Sequence, residues 1–451
     1  MSQQKIFVKP IYRIMNRAQC CLFMAFYLLE QNNEHYMKRK LCVFLSTAIL
    51  FQLLTSFSRL DRHTINSNFE IAKKQYAKLL SVSGDLTKYP RTIDSNGQIV
   101  YTDINNWTGG FWPGCLWYVY DYSKQAKWKD AAIKWTESLQ SNQYNTAHHD
   151  IGFMMYCSYG NAYRLTGNPK YRDILIQSAK SLASRFNPKV GVIKSWDTFK
   201  SFDGQHSYNY PVIIDNMMNL ELLFFAFKIT GDSTYRNIAV KHAETTLKNH
   251  FRPDFSSYHV VLYDEMTGEV LSKESFQGWS DNSAWARGQA WGLYGYTMVY
   301  RETGDERFLY AALRMADYYI NNNNLPADHI PYWDFNAGQS GYNPKWRNVG
   351  EGRPIPRDVS AAAVTSSALV ELSTYRRGVE RKRLFNMARA ILESLSMDTY
   401  RASVGANGFM ILKHSVGSFP HNSEIDVPLI YADYYFLEAL LRYNRILTNK
   451  S

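Results

Sequence analysis

Cysteine is scarce in this 451-residue chain and poorly placed for a covalent framework. Of the five cysteines, Cys20, Cys21 and Cys42 fall within the first 58 residues. Neither Cys115 nor Cys157 has a CxxC or Cys/His partner pattern, which excludes a disulfide scaffold and a zinc module. Both sit in apolar helical runs and read as small core residues. No Pro/Gly/Ser-rich linker divides residues 64–446, so that stretch reads as one domain. Acidic residues are outnumbered, 40 against 51 Lys and Arg, for a formal charge of +11. A nucleic-acid partner is nevertheless excluded, because the bases are scattered and form no basic helix or binding module. What the chain has in quantity is apolar surface. At 45% hydrophobic and 15% aromatic residues it can bury a large core, so it is not a disordered segment.

Part of the charge belongs to a leader. Met37-Lys38-Arg39-Lys40, the apolar run Leu41 to Phe51 and the small residues of Thr55-Ser56-Phe57-Ser58 follow the order of a secretory signal peptide. The run falls short of the about 20 residues a membrane-spanning helix needs. Residues 1–58 therefore read as an N-terminal extension and signal peptide, with Met37 a second candidate start, and 59–451 as the functional domain. The expected destination is the periplasm or the outside of a bacterial cell. Setting 1–58 aside leaves 44 bases and 38 acids.

A repeat organises the remainder. Leu165-Thr166-Gly167-Asn168-Pro169-Lys170-Tyr171, Ile229-Thr230-Gly231-Asp232-Ser233-Thr234-Tyr235 and Glu302-Thr303-Gly304-Asp305-Glu306-Arg307-Phe308 share one pattern. In each, a glycine free to take φ > 0 ends one helix, an Asn or Asp caps the next, and an aromatic stands in its first turn. Looser copies lie at Tyr122–Trp128 and Tyr375–Glu380. Helices before these turns, such as Asn216 to Phe227 and Ala361 to Leu372, are apolar nearly all round; those after, such as Tyr171 to Lys180, carry one polar face. That contrast implies an inner and an outer helix per hairpin. Pro428 to Ile446 reads as a sixth inner helix, paired with the amphipathic stretch Asn68 to Leu80. Six hairpins close a ring, so the expected fold is an all-α, single-domain (α/α)6 toroid. One β-hairpin is expected at Ser257 to Val270.

The loops leading into inner helices would surround one mouth, and they carry the unusual residues: Asn106 to Gly114, His148 to Phe153, Ile213 to Asn219, Trp285 to Trp291, Pro356 to Ser360 and His414 to Ser418. Three offer an aspartate at a first turn, where helix capping alone accounts for Asp. Asp150 and Asp215 stand out, one after His148-His149 and the other between Val212-Ile213-Ile214 and Met217-Met218. Burial and a neighbouring like charge both raise a carboxyl pKa, which suits Asp215 to general-acid chemistry. His149 is placed to bind a substrate or orient Asp150. No metal is expected, since adjacent histidines point different ways and no histidine follows at i+4. All eleven tryptophans lie between Trp107 and Trp346. Trp117, Trp128 and Trp135 read as core, whereas Trp107, Trp112, Trp285 and Trp291 offer faces on which sugar rings stack. Arg287 pairs with an anionic substrate or a carboxylate.

Together these segments, with Tyr431-Ala432-Asp433-Tyr434-Tyr435-Phe436-Leu437-Glu438-Ala439-Leu440, resemble glycoside hydrolase family 88, the unsaturated glucuronyl hydrolases. The resemblance spans nearly the whole chain after the leader and implies an (α/α)6 barrel. It implies Asp150 and Asp215 as the catalytic pair, and His149, Trp107, His259, Gln277, Trp285, Arg287 and Trp291 as substrate-binding residues. Ser415 and Ser418 join them in a loop where related enzymes meet sulfated sugars, although Pro420 stands where a lysine would favour sulfate. The implied reaction hydrates the C4=C5 vinyl ether of a Δ4,5-unsaturated uronic acid at the non-reducing end of glycosaminoglycan fragments left by lyases. It needs no metal or organic cofactor. The implied partner is a small acidic oligosaccharide, with no nucleic acid, no lasting membrane insertion, and a monomer or weak dimer as the working state. Alternatives are an unsaturated rhamnogalacturonyl hydrolase, a sugar epimerase, which would want facing histidine bases, and a non-catalytic carbohydrate-binding protein.

Overall fold

A computed structural model describes residues 60–202, 204, 206–346 and 354–448. The leader and its cleavage region lie outside the described residues, and Leu60–Ser451 packs as one unit. The inner helices are α2 (Phe111–Ser123), α4 (Ile151–Met155) continuing through a π turn into α5 (Asn161–Thr166), α7 (Leu220–Thr230), α9 (Ala286–Thr303), α11 (Val359–Thr374) and α13 (Ile430–Thr448). Their outer partners are α3 (Ala126–Glu137), α6 (Pro169–Ala183), α8 (Ser233–Asn249), α10 (Glu306–Ile320) and α12 (Gly378–Leu395). The sixth outer helix is α1 (Arg62–Val82), which packs on α2 and α13 as the sequence implied. Each inner helix contacts the next around the circle, and α13 closes on α2, giving the (α/α)6 toroid.

The repeat turns work as their residues dictate. Gly167, Gly231 and Gly304 take φ of 67°, 75° and 67°, and Asn168, Asp232 and Asp305 each accept a bond from the backbone N–H two residues on. The looser copies depart from this: Lys124 adopts the left-handed conformation in place of glycine, and Gln125 and Arg377 cap without a side-chain bond. Along α9 and α11 the stretches Ala286–Val299 and Val359–Val370 are wholly buried, so periodicity is lost because every face meets protein.

Small sheets decorate the mouth. The expected hairpin forms from β8 (Val260–Tyr263) and β9 (Val270–Glu274), shifted toward the C-terminus of the sequence reading, and β7 (Pro211–Ile213) adds a third strand beside β8. A second hairpin, β10 (Ser415–Ser418) with β11 (Ser423–Val427), was not expected.

Away from the mouth, charged side chains tie the inner helices together in series. Arg164 and Arg445 both reach Asp121, at 2.9 and 2.8 Å. Arg442 and Arg301 share Glu371, at 2.8 and 2.9 Å, and Arg301 also grips Glu221. The chain of pairs runs α5, α2, α13, α11, α9, α7, and the remaining junction is filled by Phe225 against Tyr156 and Tyr163. Glu371→Ala would leave two largely buried guanidiniums short of a partner. Because Arg301 keeps Glu221 and Glu302 and Arg442 keeps Glu438, we expect a loss of about 2 kcal/mol in chemical denaturation, less than a fully orphaned buried charge would cost; a change under about 0.5 kcal/mol would contradict this account.

Candidate active site

Cross-strand register builds one half of the site. Ile213 pairs with Val260, so the next residues along, Ile214 and His259, are joined by the Ile214 N–H to His259 carbonyl bond at 3.0 Å. The strand then turns into a 3-10 helix, Ile214–Asn219, whose second residue is Asp215. His259 Nε2 consequently stands 3.9 Å from Asp215 Oδ2. Its tautomer follows from its other nitrogen: Nδ1 accepts the backbone N–H groups of Phe276 and Gln277 at 3.0 and 3.1 Å, so the proton sits on Nε2, facing the carboxyl.

Ser195 couples this half to the other. Its backbone N–H donates to Pro211 and its carbonyl accepts from His149 N, while its hydroxyl accepts from Ile213 N and lies 3.3 Å from His149 Nδ1. His149 Nε2 is thereby held 3.3 Å from Asp150 Oδ1, and His148 Nδ1 is 3.5 Å from Oδ2. The leading turns of α4 and α7 are pinned together directly, with Phe153 N donating to Asn219 Oδ1 at 2.8 Å. Gly152 is required there, since a Cβ would come within 2.5 Å of Asn219.

The three aspartates differ as their surroundings require. Asp358 is a helix cap: Oδ1 accepts from Ser360 N and Oγ, and Oδ2 faces Arg287 at 3.3 Å. Asp150 and Asp215 make no capping bond, and each leaves about a tenth of its side chain accessible. Burial lifts the Asp215 carboxyl to about 7; Arg287 opposes the rise and the charge of Asp150 adds to it. Burial also acts on Asp150, but His149 and His148 outweigh it and hold its pKa below the ordinary value. His149 is itself pushed down to about 4 by burial, partly offset by Asp150, and His259 is driven well below its usual value, mainly by burial and then by Arg287. At neutral pH the site therefore pairs a carboxylate at Asp150 with an acid at Asp215 poised to give up or take back a proton.

Several buried polar atoms here complete no hydrogen bond within the protein: Asp215 Oδ2, His149 Nε2, His259 Nε2, Asn216 Oδ1, Trp291 Nε1, Ser415 Oγ and Tyr431 Oη. Unsatisfied groups gathered in this way mark a place where a polar ligand completes the bonding. Among the described residues no group of three or more His, Cys, Asp or Glu is arranged to ligate a metal ion.

The aromatic expectations divide. Trp117, Trp128 and Trp135 are core, and so, against expectation, is Trp112, packed edge-on to Tyr76 because α1 covers it. Trp285 and Trp291 are also buried. The Arg287 guanidinium and the His259 ring each lie 4.5 Å from Trp285, and Phe153 and Tyr435 flank Trp291. They frame the site through their edges, whereas Trp107 stays half exposed, braced 4.9 Å from Tyr431. Arg287 is used structurally, donating to Val416 and Gly417 carbonyls besides pairing with Asp358. Gln277 Nε2 donates to the same Gly417 carbonyl at 3.0 Å, and Ser418 Oγ meets His421 Nδ1 at 2.7 Å. Sequence reasoning missed Ser195, which sits in irregular backbone with no motif of its own. It also missed Asn216 and Asn219 as individuals, although their segment was singled out.

An (α/α)6 barrel carrying at its mouth a buried, raised-pKa carboxyl beside an ionised carboxylate fits a hydrolase that works by acid–base chemistry. Comparison sharpens the class. The sequence profile of Glycosyl Hydrolase Family 88 matches residues 86–310. The chain is 41% identical over 390 residues to the unsaturated glucuronyl hydrolase of Formosa agariphila, covering 86% of this chain and 92% of that protein. It is 33% identical over 395 residues to the unsaturated chondroitin disaccharide hydrolase of Streptococcus agalactiae, covering 85% and 92%. A crystal structure of an unsaturated glucuronyl hydrolase specific for heparin matches with a TM-score of 0.79 at 44% identity, covering 86% of this chain and 99% of that one. The chain belongs to glycoside hydrolase family 88.

Linkage gives a test of the Asp215 environment that needs no substrate. Its folded pKa of about 7 lies above an unfolded value of roughly 3.9, so the stability present below pH 4 is lost as pH rises through 7. Asp215→Asn removes that penalty and should raise the melting temperature over wild type by a few degrees more at pH 8 than at pH 4.5. An equal difference at both pH values would show that the carboxyl is not held protonated.

Proposed function

We propose that this protein is an unsaturated glucuronyl hydrolase, acting on lyase-generated glycosaminoglycan disaccharides that end in a Δ4,5-unsaturated uronic acid. The observation that carries this is the buried Asp215 acid, raised to about 7 beside the ionised Asp150. Vinyl ethers react by protonation at the carbon β to oxygen, and an acid with a pKa near ambient pH serves that step best. Asp215 gives its proton to C4, and the ring oxygen carries the resulting positive charge at C5. The Asp215 carboxylate then takes a proton from a water that adds to C5. The C5 hemiketal opens to a ketone, and C1, left as a hemiacetal, releases the neighbouring sugar. One water is consumed and Asp215 is restored. Asp150 binds ring hydroxyls and sustains the Asp215 pKa by its charge, while the His259 Nε2–H and the Trp291 indole N–H orient the reacting group.

Around this centre we assign substrate contacts to His149, Trp107, His259, Gln277, Trp285, Arg287, Trp291, Ser415 and Ser418. Arg287, already engaged with Asp358, acts chiefly by holding the hairpin that carries both serines. The leader supports export to the periplasm or beyond, and among the described residues no helix is long and apolar enough to cross a membrane. We place the enzyme as a monomer or weak dimer.

The test follows ultraviolet absorbance of the C4=C5 bond with unsaturated disaccharides from hyaluronan, chondroitin and heparin. Wild type should consume the absorbance, with kcat falling above pH 7 as Asp215 loses its proton. Asp215→Asn should lower kcat by at least about 1000-fold, roughly the contribution of a positioned acid–base group, while disaccharide binding persists by calorimetry. Persistent absorbance with wild type would leave a carbohydrate-binding protein, and an active Asp215→Asn would move the acid elsewhere.

A further inference from the structure

The tryptophan faces named from the sequence are largely spent inside the protein, yet three other rings stay open at the rim. Phe202 lies in the connection between β5 (Phe199–Lys200) and β6 (Ser207–Tyr208), Phe276 follows β9, and His421 sits at the tip between β10 and β11. These three segments are remote in sequence. Their rings nevertheless meet: Phe202 and Phe276 are stacked with centroids 5.9 Å apart and planes 23° apart, and His421 lies 4.3 Å from Phe276 and 5.3 Å from Phe202. Phe202 and Phe276 are half-buried and His421 is exposed. Trp196 and Phe199 back Phe276, at 5.5 and 5.6 Å, so the platform has a foundation in the core of the rim.

The platform is wired to the active site. Phe276 N is one of the two donors that fix His259 over Asp215, and the next residue, Gln277, bonds to Gly417. His421 is tied to Ser418 through Nδ1, which orients the ring and leaves its face to the neighbouring rings. A cluster of partly exposed rings drawn from three remote segments and tied to active-site residues is a natural ligand contact. Flat rings beside a sugar-processing centre fit the apolar C–H face of a pyranose.

We infer that Phe202, Phe276 and His421 form the platform that receives the second sugar of the substrate, the one released on turnover, and so determine which disaccharides are accepted. The inference rests on the hydrolase reading above and adds residues which that reading did not use. Recognition here is by ring face and shape, so it acts on binding of the leaving sugar and not on the proton transfer at Asp215.

Two substrates separate these effects: an unsaturated chondroitin disaccharide and the methyl glycoside of Δ4,5-unsaturated glucuronic acid, which has no second ring. Phe202→Ala and His421→Ala should each raise KM for the disaccharide about tenfold with kcat held, so that the disaccharide-to-methyl-glycoside ratio of kcat/KM falls about tenfold. Phe202→Tyr and His421→Phe, which keep a ring, should restore the ratio to within about twofold of wild type. An unchanged ratio in both alanine variants would overturn the platform, as would a failure of the ring-retaining variants to restore it. If wild type consumes neither substrate, the hydrolase reading falls and the platform with it, an outcome distinct from an active enzyme with an unchanged ratio.

Discussion

The whole arrangement hangs on closing a circle, because each inner helix is apolar over most of its surface and must be covered by two neighbours. The closure falls between the last inner helix and the first. There α13 approaches α2 so tightly that a Cβ on Gly114 would lie 2.4 Å from the Tyr434 ring. Tyr118, on α2, bonds to Tyr434 and Glu438 at 3.0 and 2.8 Å, stitching the two ends with polar contacts inside an apolar seam. Once the circle is shut, the loops leading into the helices can only face one mouth. The series of ion pairs through Asp121, Glu371 and Glu221 secures the other side.

Within that frame, two aspartates with nearly equal burial have their carboxyl pKa values moved in opposite directions. Asp150 has two histidines at its oxygens, of which His148 has its pKa raised by that pairing, whereas Asp215 faces only one, His259, a ring fixed as an N–H donor by two backbone amides and driven well below its usual pKa. Arg287, which would otherwise ionise Asp215, is occupied with Asp358 and two carbonyls. The difference between the two carboxyls is thus set by neighbours more than by depth.

Much of the fold could be read from the chain because it is locally encoded. The Gly-Asn and Gly-Asp turns at 167, 231 and 304, the apolar inner runs and the capping residues each act within a few positions, and their count implied the toroid. The strand β7 and the β10–β11 hairpin were not legible: their residues make sense only against partners, β8 for Pro211–Ile213 and Arg287 for the Val416 and Gly417 carbonyls. Trp112 shows the same limit. A tryptophan followed by Pro113-Gly114 suits either a mouth or a core, and α1, whose Tyr76 packs edge-on against it, made it core.

By itself the sequence determined the helical hairpins, the likeness to family 88 and the two aspartates that stand out at helix entries, since these rest on spacing, capping and motif within short segments. Tertiary structure alone decided which neighbours push the Asp215 carboxyl up and the Asp150 carboxyl down, that Ser195 couples the two halves of the site, and which aromatics stay partly open at the rim. Those outcomes depend on electric fields and surface burial set by groups tens to hundreds of positions apart, quantities that no local stretch of chain contains.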